Sequence, residues 1–371
     1  KYLPYLMERF GREAIYFDYD TSPDCLNSET LSAYDTVMLY ANHENITEEQ
    51  MGALGEFVES GHGFVAVHCA SACFGNSPEF IKLLGGKSKS HGGGEFKASI
   101  LEPGHPIMEG VNEYETWGAT SVHDELNEEG RKVLMERVEG DRREPWAWVR
   151  KQGKGRVFYT ASGHNERTWK NPDFQLKLRN AIVWSVGDET GKEWETFLAS
   201  REKEVREKNK NVANYERRPE PITFQHPFSV KGSMERTQVP ADMRLELFAS
   251  EPDIRKPISF TFDERGRCWV AETSDYPHGV KPDGVGSDSI RICEDTDGDG
   301  KADKFTVFAE GLNIPTGLVF ANGGVIVSQP PRFLFLKDTD GDDKADVREE
   351  IMTGWGIGDT HAQANNLHYG L

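Results

Sequence analysis

Two nearly identical acidic strings, DTDGDGKAD at 295–303 and DTDGDDKAD at 338–346, stand 43 residues apart, and no other feature constrains the folding of this chain so tightly. Each sets aspartates at alternate positions: Asp295, Asp297, Asp299 and Asp303, then Asp338, Asp340, Asp342 and Asp346. Like charges this close repel unless a cation sits among them. Calcium takes six to eight oxygen ligands, and an EF-hand loop supplies them at alternate positions. The match to that loop is incomplete in complementary ways. Gly300 fills the tight-turn position of the first copy, but Thr306 stands where the last glutamate belongs; the second copy has Glu349 there and Asp343 in place of the glycine. The flanks SIRICE and FTVFAE alternate and are rich in β-branched and aromatic residues, which predicts strands rather than EF-hand helices. The expectation is a pair of calcium-holding hairpin turns, with two solvated, metal-free acidic turns as the alternative.

A second similarity runs through the same region. PISFTFDERGRCWVAE (257–272) resembles PTGLVFANGGVIVSQ (315–329), with Phe262 and Phe320, and Gly266 and Gly324, both 58 apart. The longer spacing falls in TSDYPHGVKPDGVGSD (273–288), whose Gly, Pro and Asp content is that of a loop. The repeating unit is therefore strand, turn, strand, acidic turn, strand, the mark of propeller blades. Residues 239–371 are expected to form the first two to three blades of an all-β propeller, the last beginning at NNLHYGL. So few blades cannot close a ring and leave edge strands open, so the chain reads as part of a longer one. YLPYLMERFG likewise reads as a helix whose preceding strand is missing.

A formal net charge of −19 argues against nucleic acid as a partner. No apolar run in these residues is long enough to span a membrane, and with both ends expected to be trimmed the lack of a signal peptide here says nothing about export. The five cysteines (Cys25, Cys69, Cys73, Cys268, Cys293) show neither metal-like spacing nor a disulfide framework.

From residue 11 to about 186 strands and helices alternate. EAIYFDYD and YDTVMLYAN read as strands; TEEQMGALGEFVES opens on a capping box, Thr47 to Gln50; GFVAVH and RVFYTAS are buried strands; NPDFQLKLRNAIVWSV has Asn171 as cap and Pro172 at the first helical position. The pattern predicts an α/β, doubly wound parallel sheet with its site at the carboxyl ends of the strands. There the candidate chemistry falls. HCASACF follows one strand, exposing Cys69 or Ser71 beside His68, and GHNERTW follows another, carrying His164 and Glu166. A cysteine with a His-x-Glu pair is the arrangement of class I glutamine amidotransferases, in which the histidine deprotonates the thiol and the carboxylate orients the histidine. His91, His105 and His123, the last beside Asp124 and Glu125, are read as loop residues that could equally hold a divalent metal. His43, His62 and His226 read as structural.

LEPGHPIMEGV, TWGATSVHDELN, VLMERVEGDRREPWAWVRKQGKGRVFYTASGHNERTW and GFVAVHCAS together resemble the ThuA-like family of trehalose utilisation over roughly residues 1–187. That resemblance implies a class I glutamine amidotransferase-like (flavodoxin-like) fold and a role in carbohydrate catabolism on a sugar or keto-sugar. The family usually lacks the amidotransferase cysteine, and nothing resembles a synthase domain that would consume ammonia. Residues 239–371 are similar to the start of the propeller in planctomycete-type proteins described as membrane-bound dehydrogenases, related to glucose/sorbosone dehydrogenases. This implies an extracytoplasmic (periplasmic or secreted) setting, a small-molecule carbohydrate as partner, and His361 in DTHAQANNLHYG as a general base. By the same resemblance, pyrroloquinoline quinone or haem would serve as cofactor, with an electron acceptor or haem domain in a longer chain. No C-x-x-C-H haem sequence is present.

Between the two regions, 188–238 reads as a linker: a solvated helix with a capping box (Thr190, Glu193), packed on the first domain as a spacer, then an extended proline-rich run. Two other functions stay open: a hydrolase or amidotransferase using Cys69, His164 and Glu166, and a non-catalytic carbohydrate-binding or scaffold protein.

Overall fold

The computed structural model describes residues 2–208, 223–281, 283–359 and 363–369. The chain divides into two compact units, Lys1–Arg244 and Leu245–Leu371. His361 lies outside the described residues.

The first unit is built on a seven-stranded sheet. Its strands are β1 (Thr36–Leu39), β2 (Gly63–Val67), β3 (Lys87–Ile100), β4 (Glu115–Asp124), β5 (Lys132–Glu139), β6 (Arg142–Gln152) and β7 (Gly155–Thr160), in the order β1-β2-β7-β6-β5-β3-β4. Only β1, β2 and β7 run parallel; β6, β5, β3 and β4 pair antiparallel. The sheet is thus mixed, which corrects the all-parallel expectation. The cause is local: two-residue turns join β5 to β6 and β6 to β7, and so short a link permits only an antiparallel neighbour. Gly153 in the second turn has φ +58°, and a Cβ there would lie 2.6 Å from the Glu59 carbonyl oxygen.

The helices are α1 (Leu3–Arg12), α2 (Ser28–Leu31), α3 (Glu48–Ser60), α4 (Pro78–Leu84), α5 (Glu166–Lys170), α6 (Pro172–Ser185) and α7 (Asp188–Ser200). The Thr47–Gln50 capping box opens α3, and Asn171 caps α6 with Pro172 in its first turn. α6 packs on β2 and β7, and α3 and α4 pack on β7. β2 is buried along its whole length, and its side chains join one core with Trp146, Trp148, Phe158 and Phe174.

EAIYFDYD forms no strand. Its start folds back on α1, where the Ile15 amide donates to the Phe10 carbonyl at 2.9 Å. Further on its polar groups are taken by the returning chain: Gln238 donates to the Phe17 carbonyl, and Tyr16 to the carbonyl of Glu235. The linker helix α7 starts at Asp188 after Gly187 without a side-chain cap, so Thr190 lies inside it rather than capping it. It packs back on the unit, Trp194 Nε1 donating to the Glu13 carbonyl at 2.8 Å. Beyond it β8 (Arg206–Lys208) pairs with β9 (Thr223–Gln225), and α8 (Val230–Met234) interrupts the expected extended run.

The second unit is all-β. Strands β10 (Pro257–Phe262), β11 (Cys268–Glu272), β12 (Asp288–Glu294) and β13 (Lys304–Leu312) form one antiparallel meander. A second comprises β14 (Gly317–Ala321), β15 (Gly324–Gln329), β16 (Arg332–Lys337) and β17 (Val347–Thr353). The acidic strings occupy the β12–β13 and β16–β17 turns, at equivalent places in the two sheets. The added residues of the first unit lie between β11 and β12, where the second sheet has only a two-residue turn. One core holds the sheets together, with Trp269 against Phe308 at 4.5 Å and against Phe320 at 5.2 Å. Each sheet has the connectivity of a blade, but no ring closes.

Candidate functional site

The carboxyl ends of β1, β2 and β7 converge on one place. Tyr40 follows β1, His68 follows β2 and His164 follows β7; the two imidazoles lie 5.4 Å apart, centre to centre, inclined at 65°. His68 begins a tight turn with φ +50°, which is uncommon for a residue with a side chain. The opposite wall makes room for it: Gly163, at φ +134°, would bring a Cβ within 3.2 Å of His68 Cβ. Gly118 on β4 likewise lets the backbone approach His164, since a Cβ there would meet His164 Cβ at 2.9 Å. Trp117, 48% exposed, stands 6.1 Å from the His164 ring.

An aromatic wall fixes the β7 end. Trp169 Nε1 and the Tyr40 hydroxyl both donate to the Gly163 carbonyl, at 2.8 and 3.2 Å. Tyr2 stacks on Trp169 at 5.3 Å. Asn165 caps α5 through Thr168 N and donates to the Trp117 carbonyl.

Burial, His164, His91 and His123 all disfavour a charge on His68, whose pKa falls to about 4. At neutral pH it is uncharged, and its buried Nδ1 has no hydrogen-bond partner. His164 is exposed. One ring is buried and uncharged, and the other meets solvent.

Beneath the turn runs a buried polar chain. Glu144 Oε1 accepts from the main-chain and ring Nδ1 hydrogens of His123, at 2.7 and 3.0 Å. His123 Nε2 lies 3.1 Å from the Tyr159 hydroxyl, which lies 2.8 Å from Ser71 Oγ and donates to the His68 carbonyl at 3.0 Å. Burial raises the pKa of the Tyr159 phenol. His123 thus sits on β4 rather than in a loop, 6% exposed, and supports the His68 turn from below instead of entering the site. His91 is on β3, also a strand.

The Cys-His-Glu reading is not assembled. The Glu166 carboxylate accepts from Tyr5 at 2.5 Å and pairs with Lys170 at 3.0 Å, so it is engaged away from His164. Burial raises the pKa of the Cys69 thiol, which keeps it protonated and a poor nucleophile. Among the described residues, no three potential metal ligands converge in this unit.

In the second unit they do. Ligand atoms of Asp295, Asp297 and Asp299 lie within 4.8 Å of one another, and so do those of Asp338, Asp340 and Asp346. Much of the turn geometry is internal. Asp295 accepts from Gly298 N and Gly300 N at 2.7 and 2.9 Å; Asp338 accepts from Gly341 N and Asp343 N at 2.7 and 2.9 Å. These amides hold both carboxyls below their usual range. Asp303 is turned to Thr296 N and Oγ1, and Asp342 accepts from Lys344 N. Glu349 stands on β17 opposite Phe335 and outside the cluster, which corrects its assignment as a ligand: the strand begins before the twelfth position is reached. Asp343 pairs with Arg267 at 2.8 Å.

Sequence reasoning found the histidines and acidic turns but missed Tyr159, Glu144 and Trp117. Tyr159 and Glu144 sit inside strand patterns where only their apolar or exposed character is visible.

The mixed sheet and its covering helices define the first unit as an α/β domain, with the two histidines at the carboxyl ends of its parallel strands. Residues 4–185 match the model of the ThuA family, described as trehalose utilisation, and this unit is a ThuA-like domain. Residues 229–371 match DUF7133, a domain of unknown function. No curated protein matches the chain. Similar solved structures include a ThuA-like protein from Bacteroides uniformis (18% identity, TM-score 0.43, 49% of this chain and 82% of that one). Another is a ThuA-like protein from Parabacteroides merdae (21%, TM-score 0.41, 50% and 83%). A β-galactosidase from Rahnella sp. R3 is a third (19%, TM-score 0.38, 49% and 26%).

Proposed function

We propose that the ThuA-like unit acts on a carbohydrate, a sugar or keto-sugar, using His68 and His164 as a proton-transferring pair. The observation that carries this reading is their placement 5.4 Å apart at the ends of two adjacent parallel strands. His68, neutral because of its burial, has a ring nitrogen free to accept a hydrogen bond from a sugar hydroxyl, and exposed His164 stands 5.4 Å across from it. Trp117 offers an exposed ring on which the C–H face of a sugar can lie. The second unit, on this account, is a set of dehydrogenase-like propeller blades that works outside the cytoplasm. Its acidic turns would take calcium through Asp295, Asp297 and Asp299, and through Asp338, Asp340 and Asp346, where the ion would neutralise clustered carboxylates.

The test is turnover of glycosides and 3-keto-glycosides by the chain, read by mass spectrometry with and without added divalent metal. Conversion that disappears in His164→Ala supports the proposal. Sugars that bind and stay unchanged would make this a binding module.

A further inference from the structure

Two cysteines of the second unit face one another across a strand pair. β11 and β12 run antiparallel with Cys268 directly opposite Cys293. Far apart in sequence, the two are brought together by register alone. Alternation puts Cys268, Val270 and Glu272 on one face of the sheet and Trp269 and Ala271 on the other. The packing agrees: Cys268, Val270 and Cys293 share one small apolar cluster, while Trp269, Ala271, Ile290 and Ile292 belong to another.

Opposed side chains on the cysteine face do meet. At the far end of β11, Glu272 is paired with Ser289, and Ser289 Oγ donates to Glu272 Oε2 at 2.6 Å. Directly opposed residues of an antiparallel pair have Cα atoms about 4.5–5.5 Å apart. A disulfide asks for a Cα separation of about 4.4–6.8 Å, so a bridge between these two needs no movement of the backbone.

Both cysteines are free thiols. Cys293 is wholly buried and Cys268 is 6% exposed. Burial raises the pKa of each; that of Cys293 is pushed up to about 12, by burial first and then by Cys268 beside it. Phe248, Ile254, Ala302 and Phe305 close over the cluster. The first two belong to the stretch 245–256, which has neither helix nor strand. Such a cover opens more easily than the sheet beneath it, and gives a reagent its way in.

We infer that Cys268 and Cys293 are a redox site, which a small-molecule disulfide such as oxidised glutathione converts to a cross-strand disulfide. The thiolate of Cys268, the less buried of the two, attacks one sulfur of the reagent; the reagent's S–S bond breaks and one half leaves as a thiolate. The Cys293 thiolate then attacks the Cys268 sulfur of the mixed disulfide and expels the second half. Two electrons and two protons pass from the protein to the reagent, which departs as two thiols. The bridge closes the chain between β11 and β12 into a loop and restricts the unfolded state. This site depends neither on the histidine pair nor on calcium.

The experiment is peptide mapping of the full chain. The protein is reduced, freed of reductant and held folded with excess oxidised glutathione until labelling stops changing; remaining thiols are then alkylated in denaturant and the digest is read without reduction. The expected product is a pair of peptides joined through Cys268 and Cys293, lighter than the two reduced peptides by two hydrogens and separated by added reductant. Alkylation of both cysteines, glutathione retained on Cys268 beside a free Cys293, or a bridge that forms only in denaturant would overturn the inference.

Discussion

The Tyr159 hydroxyl donates to the main-chain carbonyl of His68 across 3.0 Å, tying the buried end of β7 to the turn that presents the first histidine. The same hydroxyl touches Ser71 and His123. Tyr159→Phe removes one oxygen from a place where three polar groups meet. A loss of about 1–3 kcal/mol is expected, since buried partners are left unsatisfied. Denaturant unfolding measures it, and a change below about 0.5 kcal/mol would show that the chain of contacts carries no stability.

Protonation of His68 sets a pH dependence with a defined sign. Its folded pKa of about 4 lies below the ordinary histidine value near 6.5. Between these values the unfolded chain holds a proton that the folded one does not. Stability is therefore complete above about pH 6.5 and is lost as pH falls toward 4, by at most roughly 1.4 kcal/mol per unit from this group. His68→Gln should flatten that part of the stability curve; an unchanged slope would mean the burial of His68 has no energetic effect.

Much of the architecture was legible because it rests on period and capping. Thr47 and Asn171 were readable as caps, and the acidic strings marked the β12–β13 and β16–β17 turns through spacing alone. What escaped depends on long-range partners. EAIYFDYD has the composition of a strand, yet Gln238 and Glu235, more than 200 residues later, take its polar groups. His123 looked like a loop histidine because DELN follows it, whereas β4 continues through Asp124. Tyr159 read as one more apolar residue of RVFYTAS, since nothing local shows that its hydroxyl meets His123 and Ser71.

Lys177 on α6 is fully buried among neutral groups, its Nζ 3.1 Å from the hydroxyls of Tyr114 and Thr160. Burial lowers its pKa to about 7. Between pH 7 and its unfolded value near 10.4 the unfolded chain binds the extra proton, so stability rises with pH across that window by roughly 1.4 kcal/mol per unit. Thermal melts at pH 7 and 9 should show the rise in the wild type and its disappearance in Lys177→Met.

Calcium should raise the melting temperature of the second unit's transition, and chelation should reverse the rise. Asp297→Asn and Asp340→Asn together should abolish the response. If calcium leaves melting unchanged at millimolar concentration, the turns hold their shape by their own amides, among them those of Gly298, Gly300, Gly341 and Asp343.

Iodoacetamide at neutral pH should label Cys69 slowly, because burial keeps its thiol protonated. Rapid, stoichiometric labelling that stops turnover would restore the cysteine hydrolase.

The central claim is that His68 and His164 act as a pair on a sugar. Its most direct measurement is kcat/KM for the converted glycoside or keto-glycoside in His68→Gln, His164→Gln and the double variant. Groups that act as a unit are strongly non-additive, so the double variant should be no slower than the worse single one, each being slowed about 100-fold or more. Losses that multiply, or singles that retain wild-type rates, would contradict it.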